Sequence, residues 1–249
     1  MIEILPDPEA VARRGAELFA LAAQESAVAR GAFAAALSGG ETPRALYRML
    51  ARQQFAQKVP WRRVHLYWGD ERCVPPDDPA SNYGMAREAF IRHVPIPEAN
   101  VHRMRGEDEP AEAARAYAQD LLRPPARAAH AATDWPVFDL VLLGLGADGH
   151  TASLFPRTAA LKDDEHVVVV NEGEGTGPRL TVTLPVINAA RRVAFVVTGA
   201  AKAGMVAEVF EGLEIPDAVP AQAVRPDRGT LTWLLDEAAA GELDPAARG

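Results

Sequence analysis

Four short apolar runs in this chain stop abruptly at polar, glycine-bearing segments, and that repeated junction limits the folds open to it. Ala32–Leu37 runs into SGGETP, Val64–Trp68 into GDER, Phe138–Leu143 into GLGADGH and Val193–Val197 into TGAAK. Continuous apolar runs of this length read as strands buried on both faces. Between them lie stretches with apolar residues at helical spacing: Val11–Arg30, Pro43–Arg52, Asn82–Ile91, Ala111–Leu122 and Ala201–Glu211. Ile2–Leu5, Val167–Val170 and Leu180–Leu184 read as further strands. The alternation predicts an α/β fold, an open and largely parallel sheet with helices on both faces. Ligands of such a sheet bind beyond the carboxyl ends of its strands, so the four polar segments are expected to converge on one site.

Composition narrows the function classes. Hydrophobic residues make up 48% of the 249 and charged residues 24%, which excludes disorder along most of the chain. No apolar run approaches the roughly 20 residues that span a bilayer. The opening MIEILPDPEAVARR lacks the basic-then-apolar pattern of a secretory signal, so a cytoplasmic protein without membrane association is expected. The one cysteine, Cys73, excludes an internal disulfide and a thiolate cluster for zinc. A net charge of −8 disfavours nucleic acid as a partner, yet a few convergent cations can still hold a small anion. No repeat or low-complexity tract is present. Ala126–Pro136, Glu172–Pro178 and Pro216–Pro226 read as connections.

Each strand end carries its own chemistry. In Ser38-Gly39-Gly40-Glu41-Thr42-Pro43 a glycine turn leads into a helix, with Thr42 expected at the N-cap and Pro43 in the first turn. Such a helix start holds phosphate well, although a plain strand-to-helix turn reads the same way. It is neither a Walker A loop nor a GxGxxG fingerprint, so no nucleotide is expected. Asp70, Glu71 and Arg72 can orient one another or a sugar, or form a solvated turn. Cys73 beside them reads as a plain thiol rather than a nucleophile.

Gly144–Thr151 brings Asp148 and His150 into a glycine-rich strand end, where an imidazole is suited to moving protons. His65, His93, His102, His130 and His166 read as structural. There is no GxSxG elbow for a serine hydrolase and no histidine spacing for a metal. Lys202 begins the helix after the fourth strand, the unfavourable end for a cation unless an anion sits there. Arg179 is either a second cation for that anion or an exposed strand-edge residue.

Taken together the motifs resemble the 6-phosphogluconolactonase family, within the broader group that includes glucosamine-6-phosphate deaminase/isomerase. The resemblance rests on LSGGETP (Leu37–Pro43), WGDERCVP (Trp68–Pro75), SNYGMA (Ser81–Ala86), GLGADGHTASLFP (Gly144–Pro156), PRLTVTLP (Pro178–Pro185), VTGAAKA (Val197–Ala203) and TWLLDEAA (Thr232–Ala239). It implies a single Rossmann-like domain over residues 1–249, with no redox cofactor and no required metal. It also implies hydrolysis of a small phosphorylated sugar lactone in the oxidative pentose phosphate pathway. On that resemblance Ser38, Gly39, Gly40 and Thr42 are expected to bind the phosphate, with Arg179 and Lys202 as counter-charges. His150, poised by Asp148, is expected as general base. Arg72 would stabilise the oxyanion or bind the sugar, and Asp70 would position water or accept from hydroxyls. Glu41 departs from the family pattern and is expected to face solvent. The alternatives are an aminosugar-phosphate isomerase, whose pattern has a glutamate where this chain reads Thr151–Pro156, and a non-catalytic sugar-phosphate-binding regulator. The sequence leaves oligomeric state open and is compatible with a monomer.

Overall fold

The computed structural model describes residues 1–126 and 135–246, with the alternating elements folded into two sheets. In chain order the strands are β1 (Ile2–Leu5), β2 (Phe33–Leu37), β3 (Val64–Trp68), β4 (Asp70–Arg72), β5 (Leu140–Leu143), β6 (Val168–Asn171), β7 (Arg179–Val182), β8 (Arg192–Val197) and β9 (Thr230–Asp236). The helices are α1 (Pro8–Arg30), α2 (Glu41–Leu50), α3 (Gln53–Ala56), α4 (Asn82–Ala89), α5 (Pro110–Leu121), α6 (Leu184–Asn188) and α7 (Ala203–Glu211). Six strands form a wholly parallel sheet in the order β1-β9-β8-β5-β2-β3. This is the α/β architecture expected from the sequence.

The inner strands β2, β5 and β8 read as largely apolar runs because both of their faces are covered. Leu140 and Leu142 of β5 pack with Phe19 of α1 and Leu46 of α2 on one side. Val141 and Leu143 pack with Tyr117 of α5 and Val206 of α7 on the other. Helix α1 starts three residues earlier than the apolar spacing suggests. Asp7 caps it by accepting from the Ala10 N–H at 2.8 Å, and Pro8 fills its first turn.

Three features depart from expectation. A second, antiparallel sheet, β4-β7-β6, leans on the carboxyl ends of the first. The strand expected at Leu180–Leu184 ends at Val182, and Leu184 opens α6, where Pro185 suits the first turn of a helix. Strand β9 lies between β1 and β8 in the main sheet, and the apolar pattern alone did not mark it. The connection expected at Ala126–Pro136 falls largely on residues 127–134, which lie outside the described residues, as does His130.

Candidate active site

Because β2, β3, β5 and β8 are parallel, their carboxyl ends open on one side, and there lies a cleft of about 350 Å³. Ser38, Gly39 and Gly40 come to it from β2, and Asp70 and Arg72 from the segment after β3. His150 comes from the loop after β5, Lys202 from the turn after β8 and Arg179 from β7. A larger hollow of about 510 Å³ is lined by Arg44, Arg48 and Arg87 together with Asp77, Asp78 and Glu88. Its charges are mixed and no strand of the parallel sheet ends in it, so the cleft is the candidate site.

Asp148 does not line the cleft but holds a residue that does. His150 Nδ1 lies 2.5 Å from Asp148 Oδ1, and the His150 backbone N–H donates to the same oxygen at 3.2 Å. A carboxylate only accepts, so the pair fixes the ring proton on Nδ1 and leaves Nε2 as the basic nitrogen. Burial alone raises the Asp148 carboxyl, but the adjacent ring and these hydrogen bonds hold it below the usual carboxylate range. Phe155 backs the imidazole with ring centroids 4.8 Å apart. On the other side, a Cβ at Gly146 would fall 2.1 Å from His150 Nδ1 and 2.6 Å from Asp148 Oδ1. Only a glycine leaves room for the pair.

The turn after β2 is clamped from behind by a buried phenol. Ser38 N–H donates to Tyr47 Oη at 3.0 Å, and Tyr47 O–H donates to the Ser38 carbonyl at 2.8 Å. Burial pushes the Tyr47 pKa up, which keeps that proton on the oxygen. Ser38 Oγ is buried beside the cleft without a protein partner. Gly40, at φ +101°, takes the cap position of α2, so the helix begins at Glu41, earlier than expected. Thr42 is therefore not the N-cap. Its hydroxyl meets that of Thr198 at 2.7 Å and its side chain is not among those lining the cleft. Glu41 is 80% exposed and pairs with Arg44 at 3.0 Å, facing solvent as expected.

Strand alternation divides the GDER segment. Asp70 and Arg72 face the cleft while Glu71 turns into the protein. There Glu71 accepts from the backbone N–H groups of Arg72, Asn82 and Tyr83 at 2.7–2.8 Å and from Ser81 Oγ at 3.1 Å. Asp70, 7% exposed, accepts from Ser153 Oγ at 2.7 Å. Arg72 donates through Nη1 to the Ala80 carbonyl, while its buried Nε has no protein partner. Arg72 and Arg179 are cross-strand neighbours, and burial together with the charge of Arg72 lowers the Arg179 pKa. Two half-desolvated guanidinium groups side by side favour an anion between them.

Cys73 is partly buried outside the cleft, and burial raises its pKa, which disfavours a thiolate. His65 and His102 share a ring-to-ring hydrogen bond of 3.1 Å, His102 meets Asp120 at 2.8 Å, and His166 meets Asp163 at 2.9 Å. None of these imidazoles lines the cleft. Asn82, Ser153, Phe155 and Thr176 do line it, although sequence reasoning gave them no role. The motifs SNYGMA and GHTASLFP were the signal for the first three. Among the described residues no group of three or more His, Cys, Asp or Glu side chains is arranged to hold a metal ion. No helix among them is long and apolar enough to cross a membrane.

Comparison with known proteins bears on the same residues. Positions 6–233 match the family described as glucosamine-6-phosphate isomerases/6-phosphogluconolactonase. A 6-phosphogluconolactonase of Nostoc sp. is 43% identical over 243 residues, covering 97% of this chain and 98% of that relative. One from Synechocystis sp. is 46% identical over 218 residues, 87% of each chain. The solved structure of 6-phosphogluconolactonase from Trypanosoma brucei superposes with a TM-score of 0.85 at 30% identity, covering 98% of both chains.

Proposed function

This chain belongs to the glucosamine-6-phosphate isomerase/6-phosphogluconolactonase family, and we propose that its cleft opens 6-phospho-D-glucono-1,5-lactone by histidine-assisted attack of water. The product is 6-phospho-D-gluconate, and the step belongs to the oxidative pentose phosphate pathway. The observation that carries the mechanism is the Asp148–His150 pair at 2.5 Å, poised in the same cleft as a glycine turn and converging cations.

The substrate phosphate sits on the Ser38–Gly40 turn. Ser38 Oγ and the backbone N–H groups of Gly39 and Gly40 donate to it, whereas Thr42, expected to bind it, stands behind the turn against Thr198. Lys202 and Arg179 supply the balancing charge. Anchoring at this end holds the lactone carbonyl near His150, where orientation contributes most to rate. His150 Nε2 takes a proton from water as its oxygen bonds to the carbonyl carbon, and Arg72 stabilises the developing oxyanion. Asp70 accepts from the attacking water or a sugar hydroxyl. The tetrahedral intermediate then breaks its bond to the ring oxygen, which takes the proton from His150. The same imidazole thus serves both half-steps and ends as it began.

The side chains that follow His150 in the cleft are Thr151, Ala152, Ser153 and Phe155, with no carboxylate among them for a ring-opening isomerase. One unit over residues 1–249 is supported by a core that includes side chains from both sheets. A cytoplasmic location suits a phosphorylated substrate that does not cross membranes. The test is hydrolysis of freshly generated 6-phosphogluconolactone measured against its spontaneous opening, with glucosamine 6-phosphate in parallel. Rapid opening of the lactone without deamination is expected. The reverse would establish an isomerase, and binding without turnover a regulator.

A further inference from the structure

The Ser38–Gly40 turn and Asp70 project from adjacent strands, β2 and β3, whose ends are in register at Leu37 and Trp68. The wedge between them is filled by one side chain, Asn82, the first residue of α4, which is 2% exposed and lines the cleft. Asn82 Nδ2 donates to the Asp70 carbonyl at 2.9 Å and lies 3.4 Å from Asp70 Oδ1. Both are acceptors, so the amide nitrogen must face Asp70 and the amide oxygen must face the other way. That oxygen lies against Gly39, where an added Cβ would stand 1.9 Å from it. Asn82 is itself immobilised, since its backbone N–H donates to buried Glu71 at 2.7 Å.

We propose that Asn82 is a positioning residue that holds the Asp70 carboxylate at a set distance from the phosphate turn. The proposal rests on the lactonase reading and extends it to the segment SNYGMA. Phosphate fixes one end of the substrate and Asp70 meets the other, so the spacing between them decides whether the reacting carbon is presented correctly. Ser153 restrains one carboxylate oxygen of Asp70, and Asn82 restrains the backbone and approaches the other. Removal of Asn82 leaves Asp70 held on one side only. The phosphate contacts remain.

The test compares Asn82→Ala and the nearly isosteric Asn82→Asp with the parent chain, measuring kcat and KM for 6-phosphogluconolactone and affinity for 6-phosphogluconate. Asn82→Asp still fills the space beside Gly39 but turns an acceptor toward Asp70. Both variants are expected to lose roughly 10- to 100-fold in kcat, the Asp variant at least as much as the Ala variant. In Asn82→Ala, KM and product affinity should stay within about three-fold, because the change removes no phosphate contact; in Asn82→Asp the new charge against Gly39 is expected to weaken both. Near-parent kcat in Asn82→Asp would make Asn82 a filler and overturn the proposal. So would a near-parent kcat or a loss confined to KM in Asn82→Ala, or failure of both variants to fold. A parent without lactonase activity in the same assay would instead defeat the functional reading, and this inference with it.

Discussion

Gly146 has no side chain to offer, yet the placement of His150 depends on it. A methyl group there would occupy the space of the Asp148–His150 hydrogen bond. Gly146→Ala is therefore expected to lower kcat at least ten-fold while leaving 6-phosphogluconate affinity near that of the parent. His150→Ala should lower kcat roughly 100-fold or more, the scale of a lost general base. Steady-state rates corrected for spontaneous opening check both, and near-normal turnover in His150→Ala would remove it from the base role. Asp148 adds a pH signature. Its folded pKa is depressed, so its contribution to stability is present above the unfolded value near ~3.9 and is lost as pH falls through the lower folded value. Thermal melts of parent and Asp148→Asn should differ at neutral pH and converge below about pH 4. At this scale the glycine-rich strand end singled out His150 in the sequence, and the imidazole lines the cleft. The motifs holding Asn82 and Ser153 gave no hint of their shared partner Asp70, which lies 12 and 83 positions away.

Among the elements, legibility followed burial. Strands β2, β3, β5 and β8 could be read because they are mostly buried and, apart from His65 and Arg192, apolar. Strand β4 could not: it consists of three charged residues, and its pairing partner β7 lies over 100 positions later. Its period-2 alternation separates Asp70 and Arg72 from Glu71, a division no apolar residue marks in the sequence. Strand β9 was obscured by its first half, Thr230–Thr232, which remains partly exposed. Helix α2 shows why the start of an element matters to function. Tyr47 sits in its second turn and holds both backbone groups of Ser38, so the helix sets the shape of the turn that feeds it. Tyr47→Phe removes the hydroxyl and leaves those groups buried and unpaired, at a cost of about 1–3 kcal/mol in stability. A drop in chemical-denaturation midpoint with weaker 6-phosphogluconate binding is expected. An unchanged midpoint would show that the turn holds its own shape.

Over the whole molecule the charge is −8, yet the cleft gathers Arg72, Arg179 and Lys202. The net charge repels an anionic substrate while these cations attract it, so its capture at the cleft should weaken as salt rises. Lys202→Met tests that field, since it removes one of the cleft's cations while the directional donors of the turn remain. A charge-assisted hydrogen bond lost here should weaken 6-phosphogluconate about ten- to a hundred-fold, and more at low ionic strength. Residual activity on the unphosphorylated lactone should hardly change. Equal losses on both lactones would mean that Lys202 serves the reaction centre or the fold.

The place of β9 between β1 and β8 also bears on how the chain is made. Ile2–Leu5 finds its pairing partners at Trp233–Asp236, so β1 is synthesised long before the strand it pairs with. While the ribosome is still working, β1 has no neighbour and β8 shows an open edge, both of them templates for stray pairing. Contacts of such long reach slow folding, because a large loop must close before they form. Helix α1 and the β2-β3-β5 block can assemble early, but the sheet closes only once β9 has been made.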